Sequence, residues 1–293
     1  MRILIHNYTS IISTEPMYFC KSFEITGHEA HLWSDASIST FDMFDSFKPD
    51  VYLTHFEFLT NDAIKYLSQN KQIQLIVNCT GMTTDKLKIL ESKVEEGGIN
   101  CPFLFTNAGA VLPYAKPEKL KMESILPGLD VFLPPQVFPD FKIDLGLVAL
   151  ESSKQIDEYT KGRETHHRLK LTHMSERDKH FDMPVSILSL RGLYDKYNEV
   201  MFATPMSIVF SQLFYEAAFH ADKVSFKVED EEQPLFDQFL ASVFKEEETD
   251  NLSQTLKSQI KSNHTSISRA ARLCKFMKDS ETKLKLEKMR GTL

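Results

Sequence analysis

Short, continuously apolar runs alternate with polar, helix-permissive stretches along the first half of the chain. Arg2–His6 is the first such run, and its unbroken apolar core predicts a strand buried on both faces. The segment after it, Asn7–Thr14, is polar. Ser13/Thr14 followed by Glu15-Pro16 then predicts a helix start: a hydroxyl cap, an acid in the first turn, and a proline where its missing N–H costs little. Gly27 ends that helix, and His28–Trp33 reads as the next strand. Val51–Thr54, Ile73–Val77, Cys101–Phe105 and Val131–Leu133 are further candidate strands, with a helix predicted over Asn61–Gln69. Strands and helices alternating at intervals of about 25 residues predict a doubly wound α/β arrangement with a parallel sheet.

Leu133–Pro139 is the one proline-dense segment, and it divides the chain into residues 1–138 and 139–262. Beyond it the alternation restarts with Ile143–Leu150. Glu151–Arg163 is helix-permissive, His166–His173 is open between strand and loop, and Pro184–Leu190 reads as a strand. The clearest stretch is Asn198–Asp230: an apolar strand, a turn at Thr204-Pro205, a helix, and a second apolar strand at Val224–Val228. Two strands joined by one helix make a βαβ crossover, so they should be parallel. Ligands of such sheets gather beyond the carboxyl ends of the strands, which puts Thr204 at a ligand-bearing edge. Gln212 and Glu216, four apart, share one face of the helix, and a carboxylate there can accept both hydroxyls of a ribose. Pro234–Leu240 is the apolar face of another helix. Residues 263–293 read as one long amphipathic closing helix, with Ile267, Ala270, Ala271, Cys274 and Met277 at helical spacing.

Composition narrows the classes. Of 293 residues, 42% are hydrophobic, enough for packed cores. No segment approaches the roughly 18 apolar residues of a membrane span. Four cysteines without a CxxC pair suit a reducing compartment, so a cytoplasmic location is expected. Net charge is −7, but residues 251–293 carry ten Lys/Arg against three Asp/Glu. That tail reads as a solvated amphipathic helix or as an attractor for phosphates or nucleic acid. The loop Asn7–Thr14 lacks GxGxxG spacing, which counts against a nicotinamide enzyme. No HxH, HExxH or strand-end Asp-x-Asp is present, and Asp42 and Asp45 flank a Phe-rich segment, so no metal or other cofactor is expected.

Two α/β halves, a proline hinge and a closing C-terminal helix resemble the GT-B glycosyltransferases, here with two Rossmann-like doubly wound domains. The Gln212–Val224 segment looks like that family's donor segment, and Ser13–Lys21 looks like the start of phage enzymes that glucosylate hydroxymethylcytosine in DNA. The resemblance implies a nucleotide-sugar donor bound by the second half and an acceptor hydroxyl, in the finest reading a modified base of phage DNA, met by the first. The chain departs from the phage pattern at Leu213, where an arginine is expected, and at Asn78-Cys79-Thr80, where an acid is expected. The implied roles fall on Gln212 and Glu216 for the nucleoside and on Arg191 or Arg163 for the diphosphate, with Thr204 a further donor-binding residue at the turn. Glu15 is the candidate base, with His55 the alternate. A glycan or small molecule as acceptor, a non-catalytic nucleotide-binding protein, and an epimerase stay open as rivals.

Overall fold

The computed structural model describes residues 1–9, 13–107, 114–134, 136–150, 154–172, 180–203, 211–228, 230–243 and 252–292. Their contacts gather into two units. One comprises Met1–Thr9, Glu15–Leu126 and Ser266–Leu293, the other Ser10–Thr14 and Pro127–Thr265. Each is an α/β unit built on its own parallel sheet.

In the first unit, β1 (Arg2–His6), β2 (Glu29–Trp33), β3 (Val51–His55), β4 (Gln74–Asn78), β5 (Phe103–Thr106) and β6 (Met122–Ser124) lie in the order β2-β1-β3-β4-β5-β6. Ile3, Leu4, Ile5, Leu53, Leu75, Ile76 and Phe103–Phe105 are wholly buried, as strands covered by helices on both faces require. The intervening helices are α1 (Glu15–Glu24), α2 (Thr40–Phe47), α3 (Asn61–Gln69) and α4 (Thr84–Gly97). Side chains of Ser39, Thr60 and Thr83 cap the last three by accepting from Asp42, Ala63 and Lys86 N–H. Gly98, at φ 55°, closes α4 in the left-handed conformation that glycine adopts most cheaply. The order reverses between β1 and β3, which makes that boundary a topological switch point.

The second unit holds β7 (Ile143–Ala149), β8 (His166–Leu171), β9 (Met183–Val185), β10 (Tyr197–Ala203) and β11 (Val224–Lys227), all parallel, in the order β11-β10-β7-β8-β9. Read from the other edge this is third-second-first-fourth-fifth, the Rossmann order, with its switch point between β7 and β10. The predicted βαβ crossover is present, carried by α7 (Gln212–His220). α5 (Lys154–Thr160), α6 (Ile187–Leu190), α8 (Gln233–Val243) and α9 (Leu252–Asn263) complete it. α10 (Ser266–Phe276) and α11 (Ser280–Arg290) return to the first unit.

Three expected elements differ. Val131–Leu133 is not a strand: the Asp130 carboxylate accepts Phe132 N–H at 2.9 Å, and this side-chain turn outcompetes extension. The sixth strand is Met122–Ser124 instead. Pro184–Leu190 is strand only to Val185; Ser189 Oγ accepts Ser186 N–H at 2.8 Å, and the apolar run continues as the short helix α6. A short apolar run has no periodicity that separates those outcomes. The closing helix is two helices. Lys278 takes φ 59°, and Asp279 accepts Thr282 N–H at 3.0 Å to start α11 afresh.

A close backbone approach fixes where the second unit begins and ends. Leu129 pairs with Thr265 in an isolated bridge, and a Cβ on Gly128 would stand 2.7 Å from the His264 carbonyl oxygen. Because backbone cannot rotate away as a side chain can, Gly128→Ala should destabilise the fold by about 1–3 kcal/mol in urea denaturation.

Candidate active site

Parallel strands end on one edge, so the loops after β1, β3, β4 and β5 converge. They bring together Asn7-Tyr8, His55, Asn78–Thr80 and Asn107, and α1 begins beside them with Glu15. Glu15 is wholly buried. Its Oε1 accepts from Tyr8 OH and Asn78 Nδ2, both at 2.6 Å. Its Oε2 accepts from Asn107 Nδ2 at 3.2 Å and pairs with Arg269 of α10 at 2.5 Å. Arg269 also donates to Asn107 Oδ1 (2.6 Å) and to the Ile125 carbonyl (3.2 Å), with its guanidinium over the rings of Tyr18 and Phe19. Burial, reinforced by the Glu15 charge, pushes the Tyr8 phenol well above its ordinary range, so it stays a donor. A carboxylate with both oxygens occupied and an arginine in contact is an anchor; it offers a proton acceptor no open approach. Asn78, standing where the resemblance called for an acid, also accepts Thr80 N–H and Oγ at 3.0 and 2.6 Å. It is thereby a strut of the same network.

His55 has the freer geometry. It ends β3 at the switch point, with Tyr8 and Phe56 rings at 5.5 and 4.6 Å. Its Nε2 lies 3.2 Å from the Thr80 carbonyl. A carbonyl only accepts, so Nε2 carries the proton and Nδ1 the lone pair. Burial lowers its pKa, leaving the ring neutral at pH 7. Nδ1 has a long contact with Glu57 N–H, 3.4 Å, and Glu57 Oε2 stands 3.6 Å away, placed to stabilise the imidazolium once a proton arrives. Next to it, between α3, α4 and the 3-10 turn Phe56–Phe58, opens a cavity of about 400 Å³ walled by Phe56, Leu59, Ile64, Met82 and Leu90. His6, given no role from sequence, ends β1 at the same switch point. It touches Trp33 and Phe58 and bonds Tyr52 OH at 3.0 Å, and burial lowers its pKa to about 4. Its place as the last residue of the first strand was the signal available.

The second unit brings Gln212, Glu216 and Arg191 together, in its interior. Glu216 Oε1 accepts from Asp130 N–H (2.8 Å) and Gln212 Nε2 (3.2 Å), and Gln212 Oε1 accepts from Thr14 N–H (2.8 Å). Thr14 Oγ, the expected cap of α1, donates instead to Asp130 at 2.6 Å. Arg191 Nη1 donates to the carbonyls of Asp130 and Leu133, its Nε and Nη2 point at His220 Nε2, and Nε lies 3.5 Å from Glu216 Oε2. Burial, with Arg191 second, lowers the His220 pKa to about 4, so that ring is the neutral acceptor. Burial raises Glu216 to about 7 against the pull of Arg191, and it raises Asp130 as well. The shared helix face is real, but it is spent on the 130–133 segment.

Arg191 does not follow a strand. It follows α6 and leads through the 3-10 turn Tyr194–Lys196 into β10, toward the edge where strands begin. Arg163 is on that amino-terminal edge too, between α5 and β8. There it and Lys223 each meet Glu199 Oε2 at 2.8 Å. Thr204 lies outside the described residues. Among the described residues no group of three or more His, Cys, Asp or Glu could hold a metal ion, and no helix is long and apolar enough to cross a membrane.

No protein-family model and no curated protein matches the chain. Among solved structures it is similar to the spinosyn rhamnosyltransferase SpnG complexed with thymidine diphosphate (TM-score 0.46, 10% identity, covering 100% of this chain and 96% of that one). It is also similar to the glycosyltransferase SnogD from Streptomyces nogalater (0.49, 11%, 94% and 99%). A third is UDP-GlcNAc 2-epimerase from Neisseria meningitidis bound to UDP-GlcNAc (0.44, 13%, 97% and 100%). Likeness at this depth concerns the path of the chain and carries no argument about activity.

Two measurements test these clusters. Glu15→Gln leaves Arg269 buried without its counter-charge and should cost about 3–5 kcal/mol in urea denaturation. Glu216 titrates at about 7 in the folded protein against an ordinary 4.5, so ionising it is harder folded than unfolded. Its contribution to stability is full below pH 4.5 and is lost as pH rises through 7, by at most ~3 kcal/mol. Glu216→Gln should flatten that part of the stability-pH curve relative to wild type.

Proposed function

We propose that the chain is a transferase that moves a sugar from a nucleotide-sugar, bound by the second unit, to a hydroxyl of a small acceptor bound by the first. The observation that carries this reading is the second sheet's strand order, with the reversal between β7 and β10 that forms a nucleotide crevice in Rossmann sheets. α7 starts on the carboxyl edge there, and the positive end of its dipole favours a leaving diphosphate. Gln212 and Glu216, engaged with Thr14 and Asp130, support that edge from behind rather than gripping the nucleoside directly. In the first unit the acceptor lies in the cavity beside the 3-10 turn, and His55 Nδ1, giving up its long contact with Glu57 N–H, takes the proton its hydroxyl loses. Glu15 holds Tyr8, Asn78 and Asn107 in place around it. The small-molecule size of this cavity favours a compact acceptor. The DNA acceptor implied by Ser13–Lys21 draws no support from this geometry.

Calorimetry with UDP, TDP, GDP and ADP, followed by incubation of the matching sugar donor with hydroxylated acceptors, tests the proposal. One nucleoside diphosphate should bind in preference to the others, and its sugar should appear on an acceptor. His55→Ala should lower transfer by about 100-fold or more with nucleotide affinity unchanged. Binding without transfer to any acceptor would leave a nucleotide-binding protein, and an altered free sugar as product would reveal an epimerase.

A further inference from the structure

We propose that the cavity between the 3-10 turn, α3 and α4 selects an anionic ligand: a compact apolar molecule bearing a carboxylate or similar acid group that pairs with Lys86. Six of the nine lining residues are apolar, and the charged ones are Lys86 and Lys93 against Glu57 alone. This local excess of cation occurs on a chain whose net charge is −7. Lys93 Nζ is occupied by Asn61 Oδ1 at 2.9 Å, and Glu57 is turned toward His55 at 3.6 Å. Lys86 has no carboxylate partner among the described residues; its ammonium lies 5.5 Å from the centroid of the Phe56 ring, on the cavity wall. Ile89, one turn along the same helix, also lines the cavity while 56% exposed. Apolar surface left in water beside an unneutralised cation is the complement of an amphipathic acid. The inference rests on the transferase reading only in taking this ligand to be the acceptor; the charge selectivity stands or falls by itself.

Titration of the full chain, without donor, with 6-hydroxy-2-naphthoate and with uncharged 2-naphthol separates the two. The acid should bind about fivefold more tightly than the naphthol, the scale of a partly exposed ion pair. Lys86→Met should abolish that preference while keeping the naphthol affinity, and Ile89→Asp should weaken both ligands. Equal binding of acid and naphthol by wild type, or a preference that survives in Lys86→Met, overturns the proposal. A preference that behaves as expected in a chain that consumes no nucleotide-sugar sustains it and removes the transferase reading instead.

Discussion

The Glu15–Arg269 pair is the constraint around which the first unit's working edge is arranged. A carboxylate taken wholly out of water is costly unless it is paired and its remaining lone pairs are filled. Here the partners come from far apart in the chain: Tyr8 after β1, Asn78 at the end of β4, Asn107 after β5 and Arg269 on the returning helix α10. The ends of β1, β4 and β5 are therefore tied to one anionic centre. The loops that converge on a parallel sheet's carboxyl edge are held there by more than the sheet's own hydrogen bonds.

The second unit solves a harder version of the same problem less completely. Asp130 and Glu216 are both buried, and one arginine, Arg191, serves them. Burial raises both carboxyls from their ordinary range, and the single cation offsets that rise only in part. Glu216 Oε2 has no hydrogen-bond partner among the described residues. With Glu216 raised to about 7, this cluster changes its charge near neutral pH.

His55 illustrates how simple neighbours fix the tautomer and charge of a strand-end histidine. A carbonyl on one nitrogen settles the tautomer, burial keeps the ring neutral, and a glutamate near the other nitrogen stabilises the protonated form.

Much of the architecture was legible along the chain because it follows from local pattern. The buried apolar runs at Arg2–His6, Val51, Ile73 and Ile143 became parallel strands, and the strand-helix-strand stretch around Gln212 became a crossover. A continuous apolar run flanked by turn signals has few other ways to be buried. The errors fell where a single side-chain hydrogen bond decides the backbone, as at Asp130 and Ser189. Residue types and strand ends likewise pointed to Glu15, His55, Gln212 and Glu216, and the four-residue spacing of the last two did place them on one face. Which way each side chain faces was settled only by tertiary structure. Arg191 and Arg163 lie toward the amino edge, Glu15 is saturated by partners up to 254 residues away in sequence, and His6 shares the switch point with His55. Periodicity reports which residues share a face, but burial and charge pairing arise from segments that meet only when the chain has folded, and no local pattern encodes them.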